Sequence, residues 1–184
     1  MENAIHHPEQ LTVQKIQTLK PSAVMELFTT LSAPDFKEMQ GEFKANLGNH
    51  GSFLKNLIAE FSTQLSFFNG VWLCKCFEPL TDITGHGYNS FRKSGRVIRK
   101  FPMKTSIAKS IYDGRDVFQL DYTTYKTLLG SMNMVDEIRK IRDNLYLGIG
   151  STGLTRKHRF WPMSFTLSGP ADPFVGTDKP YLPS

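Results

Sequence analysis

The stretch Phe67-Phe68-Asn69-Gly70-Val71-Trp72-Leu73-Cys74-Lys75-Cys76-Phe77 separates two kinds of hydrophobic pattern. Before it, apolar residues recur at helical spacing. After it the period is two, punctuated by Gly, Pro, Asn and Asp. Helices followed by short strands with tight connections leave no room for the crossover helices that a parallel sheet requires. The expected fold is mainly β: an antiparallel barrel of about 7–8 strands with an N-terminal helical extension.

The extension is read over residues 1–66, the barrel over 67–168 and an irregular tail over 169–184. Leu11, Val13, Ile16 and Leu19 predict a first helix, and Pro21-Ser22 opens a second carrying Val24, Met25, Leu27, Phe28 and Leu31. Asp35, with Glu38 three residues on, has the form of a capping box. It predicts a third helix through Phe36, Met39, Phe43 and Leu47, stopped by Gly48-Asn49-His50-Gly51. A fourth is expected at about 53–65. Strands are expected near 70–78, 86–93, 96–101, 103–112, 116–124, 132–141, 144–150 and 159–167, with turns at Ser94-Gly95, Asp113-Gly114 and Asp143-Asn144. Pro170, Pro173, Pro180 and Pro183 argue against regular structure in the tail.

A chain of 184 residues, 40% hydrophobic, fills one core, and 14 Phe exceed what that core needs. They suit either a Phe-rich core or the wall of a ligand cavity. The net charge is +5, with basic clusters at Arg92 to Lys104 and Arg156 to Arg159. No aromatic RNA-binding signature accompanies them, and Lys and Arg on a hairpin edge also guard against edge pairing, so nucleic acid is not an expected partner. Cys74 and Cys76 share a strand face at about 6.5–7 Å, awkward for a disulfide. No second Cys pair and no His spacing completes a metal site with them. Free thiols, the absence of a membrane-length apolar run and an N-terminus interrupted by Glu2, His6, His7 and Pro8 point to a soluble, cytoplasmic protein.

Strand phase sorts the residues that carry chemistry. Val71, Leu73, Lys75 and Phe77 lie opposite Trp72, Cys74 and Cys76; a Lys inside a barrel must pair with a carboxylate, bind an anion or lose its proton. Asp121 alternates with Val117 and Gln119, opposite Phe118, Leu120 and Tyr122. Met134, Asp136, Ile138 and Lys140 share one face; Val135, Glu137, Arg139 and Ile141 share the other. Mixed faces of this kind suit either a small-molecule cavity or cross-strand ion pairs on the surface. Tyr88, Tyr112, Tyr122, Tyr125 and Tyr146 could orient an oxygenated ligand, and His86, flanked by Gly85 and Gly87, could shuttle a proton at a rim. Nucleophile-elbow, phosphate-loop and dinucleotide signatures are missing; Gly148-Ile149-Gly150-Ser151-Thr152-Gly153 has no helix after it and reads as a bend.

Gly70-Val71-Trp72, followed by Lys75 and Phe77, resembles the lipocalin-like (calycin-like) barrel families, closest to small bacterial and fungal proteins with a Gly-x-Trp-x-Gly strand. Ile111-Tyr112-Asp113-Gly114, Phe118 to Tyr122, Met134 to Arg139 and Leu145 to Gly148 extend the resemblance over about residues 68–150. It implies a barrel around a cavity. Cys74 stands where the second Gly would be, and the helical start is longer than a lipocalin's.

The expected function is therefore a small-molecule-binding barrel, acting without a cofactor or metal on a largely apolar, oxygen-bearing metabolite by isomerase- or cyclase-type acid–base chemistry. The alternative is a carrier of a hydrophobic ligand. Lys75, Asp121, Asp136, Glu137, Tyr146 and His86 are the candidate catalytic residues, and Trp72, Phe77, Tyr88, Phe118 and Tyr122 the candidate ligand contacts.

Overall fold

The computed structural model describes residues 7–48, 70–131, 133–151 and 163–180. Eight strands, β1 (Gly41–Leu47), β2 (Val71–Pro79), β3 (Thr84–Lys93), β4 (Arg96–Lys109), β5 (Asp116–Asp121), β6 (Val135–Arg142), β7 (Leu145–Ser151) and β8 (Met163–Asp172), form a closed antiparallel barrel. Each pairs with its neighbours in sequence, and β8 returns to β1, so no edge is left unpaired. Among the described residues three short helices accompany them: α1 (Val13–Thr18), α2 (Pro21–Thr30) and α3 (Leu128–Ser131). No helix among the described residues is long and apolar enough to cross a membrane.

Alternation divides the strands cleanly. Phe118, Leu120 and Tyr122 of β5 and its end, with Ile138 of β6 and Tyr146 of β7, join the inner core; Val117, Ile141, Leu145, Leu147 and Ile149 face outward. The outward set packs under Ile16, Val24, Leu27 and Phe28, so α1 and α2 cover the outside of β5–β7. Arg139, fully buried on that face, secures the cover. Its guanidinium donates to both carboxylate oxygens of Asp113 at 2.7 Å and to the Phe28 carbonyl at 2.9 Å, and lies 4.7 Å from the Phe28 ring centre. Arg115 donates to the carbonyls of Thr29 and Leu31. Two cations thus satisfy acceptors that the end of α2 leaves open.

One end of the barrel is plugged. Asp35 caps a single 3-10 turn, Phe36–Glu38, by accepting from the Lys37 amide at 2.9 Å. Phe36 then drops onto Phe118 (ring centres 5.1 Å apart), which meets Phe77 at 5.2 Å, and Phe77 meets Phe43 at 5.6 Å.

Three expectations change. The helix expected through Leu47 is only this 3-10 turn, and β1 follows, with Phe43 and Ala45 inward between Glu42, Lys44 and Asn46. Phe36, Met39 and Phe43 mimic a helical stripe because the plug and the strand bury them in turn, while Leu47 at the strand end is exposed. The strands expected at 96–101 and 103–112 are one, β4, which bends where Phe101 takes a φ of 54°. The tail expected from Gly169 begins later, because β8 runs to Asp172. Residues 173–180 then strap across β3 and β4: Phe174 lies over His86 and Tyr88, and Asp178 exchanges hydrogen bonds with the Arg99 backbone. The helix expected at 53–65 and the basic cluster at 156–159 lie outside the described residues.

Candidate functional site

At the end opposite the plug, where β1 finishes and β2 begins, the barrel holds a cavity of about 500 Å³. Its walls are mainly apolar: Ala45, Trp72, Phe91, Leu129, Met134 and Phe165 contribute. Asp136, Lys75, Asn89 and Tyr122 supply its buried polar groups, each from a different strand or strand end.

These four, with Trp72, form one hydrogen-bonded network. Lys75 Nζ donates to Asp136 Oδ2 at 2.7 Å, to the Tyr122 hydroxyl at 2.5 Å and to Asn89 Oδ1 at 3.3 Å. Trp72 Nε1 also donates to Asn89 Oδ1, at 3.1 Å. An indole N–H can only donate, so it fixes the Asn89 amide, whose Nδ2 donates to the Tyr122 hydroxyl at 3.0 Å. The Tyr122 oxygen therefore accepts twice and turns its own proton toward Asp136 Oδ2, 3.3 Å away. The Lys75 ammonium also sits 5.0–5.3 Å from the ring centres of Phe165, Tyr122 and Trp72, within reach of cation–π attraction.

One buried atom of the network is left over. Asp136 Oδ1 has no hydrogen-bond partner among the described residues, although its side chain is fully buried. Gly150 stands beside it, across from Asp136 in the β6–β7 register, and a Cβ there would lie 2.9 Å from Oδ1. Gly148 does the same for Phe165, whose ring would meet a Cβ at 2.2 Å. The glycines that read as a bend in the sequence thus make space inside a regular strand.

Burial governs the electrostatics. Desolvation pulls the Lys75 ammonium below its ordinary pKa, against the opposing pull of the Asp136 charge. Desolvation, reinforced by Asp136, pushes the Tyr122 phenol well above its ordinary value, so it stays protonated and can donate.

Of the sequence candidates, Lys75, Asp136, Tyr122 and Trp72 meet at the cavity. Strict alternation places Trp72 opposite Lys75, but the β2–β3 register shifts between Trp72 and Cys74, and this irregularity brings both inside. Phe77 and Phe118 belong to the plugged half, where Tyr146 packs edge-on against Phe43 and burial pushes its phenol up to about 12. The other four lie away from the cavity. Asp121 accepts from the backbone and hydroxyl of Thr123, closing a turn. Glu137, on the outer face, accepts from Ser110 Oγ at 2.6 Å and the Ile111 amide at 2.8 Å, and burial raises its pKa. His86 pairs with Glu78 at 2.8 Å and stacks on Phe174. Tyr88 lies under the strap, donating to Glu42 and accepting from the Val175 amide.

Asn89, Phe165 and Gly150 were not among the candidates. Asn89 shares its strand phase with Gly85, Gly87 and Phe91, and that phase was the available signal. Gly150 lies in the Gly-rich stretch that reads as a bend, and Phe165 carries no local mark.

No family model matches the chain, and no curated protein does. Among solved structures, a protein from Thermomonospora curvata is similar, with a TM-score of 0.59 and 13% identity over 90% of this chain and 97% of that one. At that identity the likeness is one of fold.

Proposed function

We propose that this barrel is a cofactor-independent enzyme of isomerase or cyclase type, moving a proton on a largely apolar, oxygen-bearing metabolite. The observation that carries the reading is the free Asp136 Oδ1, buried in an apolar cavity while Oδ2 is held by Lys75. A carboxylate oriented through one oxygen, with the other bare, is a general base aimed at a bound ligand. When Oδ1 takes a proton, the Asp136 charge disappears and the Lys75 ammonium can balance negative charge arising on a ligand oxygen. In a site this dry, such charge balance is worth far more than in water. The Tyr122 phenol can return a proton. The lipocalin-like affinity of the Gly70-Val71-Trp72 strand belongs to the same proposal.

Native mass spectrometry of the protein from its own source identifies the bound compound. Asp136→Asn, which keeps the side-chain volume, should then lower its turnover by about 100-fold or more while its Kd moves only a few-fold. Undiminished turnover overturns the assignment. The second reading, a carrier, draws on the same apolar walls, and it predicts a bound ligand recovered unchanged from the wild-type protein.

A further inference from the structure

Lys75 has more equipment than a charge partner needs. Its Nζ sits at the cavity wall, within 2.7 Å of both a carboxylate and a phenol, and 5.0 Å from the centre of the Phe165 ring. A primary amine in apolar surroundings, beside a carboxylate that can take its proton and later release it to a departing hydroxyl, and a phenol that can protonate the carbonyl oxygen, is the set required for covalent carbonyl chemistry. We infer that Lys75 forms an imine with the carbonyl carbon of an apolar aldehyde or ketone bound in the cavity. The inference rests on the acid–base reading above and narrows its substrate class to carbonyl compounds.

The step balances within the site. Asp136 takes a proton from the Lys75 ammonium, and the freed amine attacks the carbonyl carbon, forming a C–N bond as the C=O π bond breaks. The oxygen gains a proton from Tyr122, which recovers one from the nitrogen through the Asp136 network. The Asp136 proton then leaves with the hydroxyl as water. The ammonium, the carboxylate and the carbonyl compound become a protonated imine, the same carboxylate and one water. The cation remains where the ammonium stood, so the pairing with Asp136 survives, and bare Oδ1 is placed to remove a proton from the carbon next to the imine. Burial, which draws the amine toward its neutral form, favours the attacking species.

The test uses 3-phenylpropanal with sodium cyanoborohydride on the full-length protein, followed by peptide mapping. Binding of 3-phenylpropanol, which cannot form an imine, is measured by calorimetry. The expected result is a reduced adduct at Lys75, formed at least about tenfold faster than at the exposed Lys109, whose ammonium pairs with Asp116. Tyr122→Phe, which keeps the amine and the carboxylate, should slow trapping at Lys75 by about tenfold. Mapping on the wild-type protein decides the matter, so the outcome does not hang on the folding of any variant. Saturable binding of the alcohol with Lys75 unmodified overturns the imine and leaves the acid–base reading standing. Failure of both probes to bind or react removes the two together.

Discussion

Asp136 is held on one side and free on the other, and Gly150 is what leaves the free side open. A methyl group there would sit 2.9 Å from Oδ1, tighter than ordinary contact. Gly150→Ala should therefore weaken 3-phenylpropanol binding by about tenfold and, by displacing the paired Asp136 carboxylate, lower the unfolding midpoint as well, as calorimetry and urea titration would show. The Lys75–Asp136 pair makes a complementary prediction about stability. Lys75→Met strands a carboxylate among aromatic walls and should cost about 3–5 kcal/mol, whereas Lys75→Met with Asp136→Leu should recover most of it, because two apolar residues leave no charge unpaired. Urea unfolding of both variants measures the difference. Equal losses would mean that the cost arises from packing and not from charge.

At the scale of elements, the attachment of α2 to the barrel depends on Arg139 and Asp113. The Arg139 hydrogen bonds hold the Asp113 carboxyl down from its ordinary 3.8 to about 2. The folded-state pKa lies below the unfolded one, so the contribution is fully present above about pH 4 and is lost as the pH falls through about 2. Asp113→Asn should lower stability at neutral pH by about 2–3 kcal/mol, leaving the Arg139 cation buried without its counter-charge, and should flatten the acid limb of the stability curve between those values. Denaturant midpoints measured from pH 7 to 2 check both. The Phe36 plug is the other element-level support, and Phe36→Ala should cost about 3 kcal/mol by opening a void against Phe118.

Among the described residues, two layers cover the outside of the barrel, and only Gln17 of α1 reaches the cavity lining from either. The helices lie over β5–β7, and the strap of residues 173–180 lies over β3 and β4, sealing Tyr88. Ending the chain at Asp172 should therefore expose Tyr88 and lower stability by about 2 kcal/mol through lost apolar burial. Probe affinity in the cavity should change less than about twofold. Loss of binding in the truncated protein would show that the strap and the cavity are coupled through β3.

Much of this architecture is a local property of the chain. The turns at Ser94-Gly95 and Asp143-Asn144 follow from residues that accept a positive φ, and the opposition of Asp136 to Glu137 from side chains alternating along a pleated backbone. Alternation cannot say which face is the inside. That was decided when α1 and α2 covered the Glu137 face and closure of β8 onto β1 enclosed the Asp136 face. Closure also turned Gly41–Leu47, helical in its apolar spacing, into a strand by supplying ladder partners on both sides. The meeting of Lys75, Asn89, Tyr122 and Asp136 belongs to the tertiary structure alone, since their separation of up to 61 residues is crossed only by barrel register. The irregularity that turns Trp72 inward to orient Asn89 likewise exists only once β2 has paired with β3.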